Sequence, residues 1–252
     1  MPMPPPGGRR SRRVVPGRIP VRPSRRPHGV RRPMPQSSLG GNGARFDALF
    51  LDFDGVILES ADIKTRAFTE MYRPYGDDVL AAALAHHKAH GGISRRQKIR
   101  HCHATLLGRT LTVEELDRLA LHFSHLVEDA VVGAAWVPGA EALLASLRDR
   151  LPMFVVSGTP EVELRRIVAR RGIADWFHEV RGSPPEKPPI IRELLADHGL
   201  AADRVLFVGD SMTDHDAAAA TGLAFVGRVR AGEASFFPAG TTVISDLTQL
   251  EL

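Results

Sequence analysis

Short apolar runs that alternate with helical patterns are the feature of residues 46–252 that most limits the fold. Each run is too short for a buried helix and ends at a polar residue or Gly, which is typical of a strand buried on both faces. Strands that alternate with helices form a parallel sheet with right-handed crossovers. We therefore expect an α/β fold with a doubly wound, Rossmann-like parallel sheet. The predicted strands are 46–51, 152–156, 204–208, 223–226 and 242–244, and the predicted helices around them are 139–150, 160–171, 187–198 and 214–221.

Residues 62–136 have a different composition, rich in Ala, Leu, His and charged residues, and no segment among them resembles a strand. Thr112 followed by Glu115 is typical of a capping box at the start of a helix. We expect a helical bundle inserted after the first strand, and we call residues 62–136 the helical insert. Its predicted helices are 62–73, 77–90, 94–107 and 112–131.

Residues 1–43 contain ten Pro and seven Gly with almost no apolar periodicity. Such a segment buries too little apolar surface to offset the entropy of ordering, so we expect a disordered, basic tail. Three interpretations remain open. The segment is an extended translation start with Met34 as the true start, a polycationic tail for acidic surfaces or nucleic acid, or an organelle transit peptide, which the prolines oppose.

Charge and composition limit the classes of partner. Residues 1–46 hold eleven Arg and no acidic residue, and the remaining 22 basic and 29 acidic residues give 47–252 a net charge of −7. Nucleic-acid binding is therefore not expected outside the tail.

No apolar run is long enough for a membrane span or a secretory signal. A single cysteine, Cys102, fits a reducing, cytoplasmic location. Monomer and homodimer both remain open.

Acidic residues follow two of the predicted strands directly. Asp52 and Asp54 come after the first strand, beside a Gly55 that permits a tight turn, and Asp210 and Asp214 come after the strand at 204–208. The carboxyl ends of parallel strands meet at one edge of the sheet, where ligands bind. A divalent cation there would neutralise carboxylates that are costly to bury unpaired. A calcium loop or an ordinary turn remains open for the first pair, and an N-cap role remains open for Asp214.

Two further loops at predicted strand ends have the composition of an anion site. Ser157-Gly158-Thr159 precedes Pro160, which suits the first position of a helix, and a helix N-terminus with free N–H groups binds anions. A plain capped helix start explains the same residues. Lys187 lies in a proline-rich loop after a further short strand and before a helix. A lone lysine is commonly a solvated surface residue.

Taken in order, these segments resemble the haloacid dehalogenase-like superfamily of hydrolases. Its four motifs match Asp52-Phe-Asp54-Gly55, Ser157, Lys187 and Gly209-Asp210-x-x-x-Asp214, across about residues 46–230. The helical insert resembles the helical cap of that family, which divides the folded part into a core of residues 44–61 and 137–252 and a cap of residues 62–136.

The resemblance also implies which residues contact the substrate from the cap. The segment from His90 to Arg95 resembles the cap loop that faces the active site in phosphoglycolate phosphatases and β-phosphoglucomutases. By this resemblance Gly92, Ser94 and Arg95 are expected to bind the part of the substrate away from the reacting phosphate. An Arg there could bind a carboxylate or a second phosphate.

For the reaction, the resemblance implies a phosphatase that hydrolyses a small phosphorylated metabolite. Asp52 would attack phosphorus and form an aspartyl phosphate, and Asp54 would protonate the leaving alkoxide and later activate water. Ser157 and the N–H of Gly158 would hold phosphoryl oxygens, and Lys187 would offset negative charge.

The same resemblance implies a Mg²⁺ site. Asp52, the backbone carbonyl of Asp54 and Asp210 would be ligands, and Asp214 would orient a ligand or a bound water. Alternative functions are a phosphomutase of the same fold and a catalytically inactive binding protein. A dehalogenase is disfavoured because its members usually lack the second aspartate. A nucleic-acid binder that acts through the tail also remains open.

Overall fold

Six parallel strands form one sheet in the computed structural model, which describes residues 45–252. The tail predicted for residues 1–43 lies outside the described residues. The spatial order is β3-β2-β1-β4-β5-β6, so the sheet grows first to one side of β1 and then to the other. This confirms the predicted doubly wound sheet. The strands are β1 (Ala48–Leu51), β2 (Met153–Pro160), β3 (Glu179–Ser183), β4 (Val205–Gly209), β5 (Ala224–Arg228) and β6 (Thr242–Ile244).

Eight α-helices surround the sheet within residues 45–252. Four form the helical insert after β1: α1 (Ala61–Tyr72), α2 (Asp77–Ala89), α3 (Arg95–His101) and α4 (Val113–Val132). The others are α5 (Ala140–Leu147), α6 (Glu161–Arg170), α7 (Lys187–His198) and α8 (Met212–Thr221). None of these helices is long and apolar enough to cross a membrane.

The central strands are apolar along their whole length because helices cover both faces of the sheet. All four residues of β1 are buried, and successive side chains point to opposite faces. Phe50 packs in the cluster that contains α7 and α8, whereas Leu49 and Leu51 pack in the larger cluster on the other side. The same division of side chains recurs in β2 and β4.

The helices of the insert begin and end close to the predicted residues. Thr112 caps α4 through the predicted capping box, because its hydroxyl accepts from the N–H of Glu115 and the Glu115 carboxylate accepts from the N–H of Thr112. The predicted helix 94–107 is interrupted: α3 ends at His101 and a π-helical segment, Cys102–Leu106, follows. The division into core and cap domains stays a prediction, because residues 45–252 belong to one compact unit.

A buried ion pair joins the insert to the helix that follows β2. The guanidinium of Arg95 on α3 makes two hydrogen bonds of 2.6 and 2.8 Å to the carboxylate of Glu163 on α6. Ser124 on α4 donates to the same carboxylate at 2.6 Å, and both charged side chains are at most 5% exposed. This bidentate pair fixes α3 and α4 against α6.

Removing one partner of this pair tests its burial. We expect Glu163→Ala to lower the free energy of unfolding by about 3–5 kcal/mol, because the Arg95 charge would remain buried without a partner. Urea denaturation followed by circular dichroism measures the change. Asp117→Ala is the matched control: it removes the partner of the more exposed Arg96 and should cost about 0.2–1 kcal/mol. Equal losses in the two variants would contradict the buried pair.

Candidate active site

Three carboxylates meet at the carboxyl edge of the sheet. Asp52 follows β1, Asp210 follows the neighbouring β4, and Asp214 lies in the first turn of α8. One oxygen of each carboxylate lies within 4.8 Å of the other two. The strand order explains the meeting, because β1 and β4 are adjacent where the sheet changes its direction of growth. Within residues 45–252, no other group of three or more His, Cys, Asp or Glu side chains is arranged in this way.

Lys187 contacts two of these carboxylates. Its Nζ lies 2.8 Å from Oδ2 of Asp52 and hydrogen-bonds to Oδ1 of Asp214. Burial alone would lower the pKa of Lys187, but the charges of Asp214 and Asp52 outweigh it and raise that pKa, so the ammonium stays protonated. Lys187 is therefore a fixed positive charge within the site and not a solvated surface residue.

The Asp52 carboxylate is held in one orientation. Its Oδ1 accepts a hydrogen bond of 2.6 Å from the N–H of Phe53, and its Oδ2 is the atom that faces Lys187. Burial and the nearby carboxylates of Asp214 and Asp54 raise the pKa of Asp52 to about 6, although Lys187 opposes them. Its orientation towards Lys187 makes the Asp52 carboxylate a candidate nucleophile.

Asp214 is not the N-cap residue of α8. The N-cap is Ser211, and Asp214 occupies the third helical position, where its Oδ2 accepts from the N–H and the hydroxyl of Ser211 at 3.1 and 2.6 Å. The N-cap interpretation of Asp214 was therefore wrong. Its side chain is fully buried, and its other oxygen binds Lys187. The geometry makes Asp214 a positioning residue for Lys187.

The donor set at Asp210 fits a divalent cation. Within residues 45–252 the Asp210 carboxylate has no hydrogen-bond or ion-pair partner, although it borders two other carboxylates. Desolvation by the surrounding protein and the charges of Asp52 and Asp214 raise the pKa of Asp210 well above its usual value. A Cβ atom at Gly55, where φ is 75°, would lie 1.9 Å from Oδ2 of Asp210. Only Gly permits this close approach, and oxygen ligands of this kind suit Mg²⁺.

Asp54 has partners that the sequence did not indicate. Its carboxylate accepts hydrogen bonds from Ser60 at 2.6 Å, from Thr159 at 2.9 Å and from Lys64, which also donates to the Thr159 hydroxyl at 2.6 Å. Burial would raise the pKa of Asp54, but the Lys64 charge and these hydrogen bonds outweigh it and lower the pKa. Asp54 is therefore ionised in this conformation.

The segment that contains Ser157 and Gly158 differs from its prediction in where the strand ends and the helix begins. β2 continues through Pro160 with a register shift after Ser157, and α6 begins only at Glu161. Ser157 and Gly158 thus lie in the last part of a strand, and the helix that follows begins one residue after the predicted Pro160. The Ser157 hydroxyl accepts from the N–H of Thr159 at 3.2 Å, and both Ser157 and Gly158 line the cavity above the carboxylates.

The loop of the insert that contains Gly91 and Gly92 touches the last residues of β2 and the start of α8. A Cβ atom at Gly158 would lie 2.2 Å from the carbonyl oxygen of Gly92, and one at Gly92 would lie 2.7 Å from the hydroxyl of Ser211. Thr213 donates a hydrogen bond of 2.5 Å to the carbonyl of Gly91. Gly92 therefore lies where a substrate-binding residue was expected.

Ser94 and Arg95 have protein partners in place of the expected substrate contacts. The Ser94 hydroxyl caps α3 and forms a capping box with Gln97. Arg95 borders the cavity, but its guanidinium binds Glu163 and lies 4.5 Å from the Phe123 ring centroid. In this conformation the Ser94 hydroxyl and the Arg95 guanidinium are both bound to groups of the protein, and their contacts with a substrate stay a prediction.

A cavity of about 630 Å³ lies between the insert and the sheet edge. Asp52, Asp54 and Asp210 form its floor with Ser157. The insert contributes Lys64, Phe68, His87 and Lys98, which sequence reasoning did not identify as lining residues. The position of Lys98 three residues after Arg95 was the available signal, since residues at this spacing share a helix face.

Comparison with known proteins identifies the family. Residues 46–222 match the model of the haloacid dehalogenase-like hydrolases, and the chain belongs to that family. A phosphoglycolate phosphatase from Rhodospirillum rubrum is 37% identical over 116 residues, which cover 43% of this chain and 48% of the relative. This match therefore spans about half of that protein. A phosphoglycolate phosphatase from Neisseria gonorrhoeae is 27% identical over 196 residues, which cover 71% of this chain and 78% of the relative.

Solved structures share the fold. β-Phosphoglucomutase from Clostridium difficile superposes with a TM-score of 0.66 at 18% identity, covering 82% of this chain and 93% of that chain. CbbY from Rhodobacter sphaeroides in complex with xylulose-(1,5)bisphosphate gives a TM-score of 0.62 at 17% identity, with coverages of 81% and 96%. At these identities the likeness establishes the fold, which agrees with the family assignment.

The unpaired Asp210 predicts a linkage between folding and divalent cations. A raised carboxyl pKa means that the folded state binds a proton more readily than the unfolded chain, so stability falls as pH rises above the usual aspartate pKa. Without divalent cations at neutral pH, we expect Asp210→Asn to melt about 2–4 °C above the native protein, which corresponds to a relief of about 1 kcal/mol.

Added Mg²⁺ should reverse the order of the melting temperatures of the native protein and Asp210→Asn. The melting temperature of the native protein should rise with Mg²⁺ concentration, and that of Asp210→Asn should not. Asp216→Asn, which changes a 71% exposed carboxylate on α8, is the control and should respond like the native protein. A Mg²⁺-dependent rise of equal size in Asp210→Asn would exclude Asp210 as a ligand.

Proposed function

We propose that this chain is a Mg²⁺-dependent phosphatase that hydrolyses a small phosphorylated metabolite through a phospho-aspartate on Asp52. The observation that carries the proposal is the oriented Asp52 carboxylate beside Lys187 and Asp210 on the floor of the cavity. The family and the two phosphoglycolate phosphatases among its relatives support the same class of reaction.

Binding of the phosphoryl group would use the loops around Asp52. The Ser157 hydroxyl and the N–H of Gly158 border the cavity and can donate to phosphoryl oxygens. Lys187 reduces the repulsion between the Asp52 carboxylate and the phosphate, and Asp214 keeps Lys187 in place. Mg²⁺, held by Asp52, the Asp54 carbonyl and Asp210, would neutralise charge on the phosphoryl oxygens.

Transfer would proceed in two steps. An oxygen of Asp52 forms a bond to phosphorus while the bond to the ester oxygen breaks, and that oxygen takes a proton from Asp54. Water then attacks phosphorus, gives its proton to Asp54 and releases phosphate and free Asp52. The lowered pKa of Asp54 favours the second, proton-accepting step. For proton donation, Asp54 must part from Lys64, because a neighbouring ammonium opposes protonation.

The isosteric substitution Asp52→Asn tests the nucleophile. We expect turnover to fall at least about a thousandfold, because loss of a covalent nucleophile removes the main reaction path, while the melting curve shows a folded protein. Phosphate release from a panel of small phosphomonoesters, with and without Mg²⁺, measures the effect. Asp216→Asn is again the matched control and should keep native turnover.

Two outcomes would count against the proposal. Native turnover in Asp52→Asn would exclude Asp52 as the nucleophile. If the native protein released no phosphate but interconverted sugar phosphates only when a bisphosphate was added, the chain would be a phosphomutase.

A further inference from the structure

Lys98 is a buried lysine in the wall of the active-site cavity. It lies on α3 and is only 5% exposed. Its Nζ contacts Nδ1 of His87 at 3.1 Å and the carbonyl oxygen of His87 at 3.2 Å, and it lies 5.9 Å from the Phe68 ring centroid. The mechanism above gives this residue no role.

Lys98 differs from every other buried cation of residues 45–252 in having no carboxylate partner. Arg95 pairs with Glu163, Lys187 pairs with Asp52 and Asp214, and Arg228 pairs with Glu59. Burial of an ammonium without an opposite charge is costly. The contacts of Lys98 with His87 hold the ammonium but do not neutralise its charge, so the position points to an anionic ligand.

The hydrogen bonds of Lys98 leave one donor for such a ligand. An ammonium has three N–H groups, and His87 takes two of them through its ring nitrogen and its carbonyl. Burial and the charge of Lys98 lower the pKa of His87 to about 3, so the ring stays neutral and its Nδ1 can accept a hydrogen bond from the ammonium. The third N–H has no partner among the described residues.

The charges around Lys98 agree with a missing anion. Burial and the neighbouring Lys64 lower the pKa of Lys98 to about 7, although Asp210 and Asp54 act in the opposite direction. These influences also show that the ammonium lies within electrostatic reach of the metal-site carboxylates. Lys64, a neighbouring cation of the cavity wall, is bound to Asp54.

We propose that Lys98 recognises a second anionic group, a carboxylate or a phosphate, on the phosphorylated substrate. The substrate class is then a small phosphomonoester that carries an acidic group besides the phosphate that reacts. The inference rests on the proposed function, which supplies the first anionic group. The diversion of Arg95 to Glu163 leaves Lys98 as the buried cation of the cavity wall that is free for this role.

Matched two-carbon substrates test the proposal. Phosphoglycolate carries a carboxylate, ethanediol bisphosphate a second phosphate, and 2-hydroxyethyl phosphate a neutral hydroxyl in the same place. We expect the native protein to prefer one of the anionic substrates, which identifies the anion. Lys98→Met should lower kcat/KM for that substrate by about 10- to 100-fold, the usual size of a charge-assisted hydrogen bond, and leave 2-hydroxyethyl phosphate within about twofold.

Binding of unreactive analogues gives a second readout that does not depend on turnover. The analogue that carries the preferred anion is phosphonoacetate for a carboxylate and ethane-1,2-bisphosphonate for a phosphate. With Mg²⁺ present, calorimetry should show that Lys98→Met weakens binding of this analogue. Binding of the neutral 2-hydroxyethylphosphonate should not change. If no substrate is turned over, the proposed function fails. Binding of both acidic analogues is then compared with binding of 2-hydroxyethylphosphonate, which still decides whether Lys98 binds an acidic group. Arg100→Met, which removes an exposed cation from the same helix, is the control and should change neither.

Stability separates recognition from a structural role. If Lys98 serves a ligand, Lys98→Met should melt at or above the native temperature, since it removes a buried unpaired charge. Lys98→Gln is the second variant if the Met variant does not fold. Equal losses for acidic and neutral probes, or no loss for either, would overturn the assignment.

Discussion

Repulsion between carboxylates at the sheet edge is the constraint on which the rest of the site depends. Asp52, Asp210 and Asp214 lie within 4.8 Å of one another, and such a cluster is unstable without positive charge. Lys187 supplies one part of that charge by contacting Asp52 and Asp214 together. The loop that carries Lys187 must therefore approach the ends of two strands, and α7 begins at this residue, close to the cluster. Asp210 is left without a cation of the protein, which is the physical reason to place Mg²⁺ there.

Close backbone approach connects the insert to this cluster. At three of the glycines near the cluster a Cβ atom would meet another group at 1.9 to 2.7 Å: Gly55 against Asp210, Gly158 against Gly92, and Gly92 against Ser211. These contacts join the loops after β1 and β2, the insert and the start of α8. The cavity is consequently lined by the insert on one side and by the strand-end loops on the other. The Arg95–Glu163 pair fixes the wall that faces this floor.

The sequence predicts what depends on local pattern and misses what depends on distant partners. The apolar runs predicted β1, β4 and their acidic ends, because a buried parallel strand needs continuous apolar residues. β3, with the sequence Glu-Val-Arg-Gly-Ser, was placed only as an unspecified short strand, since an edge strand can carry charged residues. Arg95 was expected to bind substrate, but its partner Glu163 is 68 residues away, and no local pattern connects them. Lys98 was missed because a lysine in a helix is ordinarily solvated, and only the packing of α1, α2 and α3 buries it.

A ligand gains binding free energy from charged groups that have no partner in the protein, and the cavity contains two such groups of opposite charge. Asp210 lacks a cation and Lys98 lacks an anion, whereas Lys187, Arg95 and Lys64 are each paired with carboxylates. The two groups influence each other, because the Asp210 charge supports the protonated form of Lys98. A divalent cation bound at Asp210 would offset that support and leave the ammonium more dependent on an anion from elsewhere. The proposed substrate with a second acidic group would supply that anion, so the metal and the substrate would together satisfy both groups.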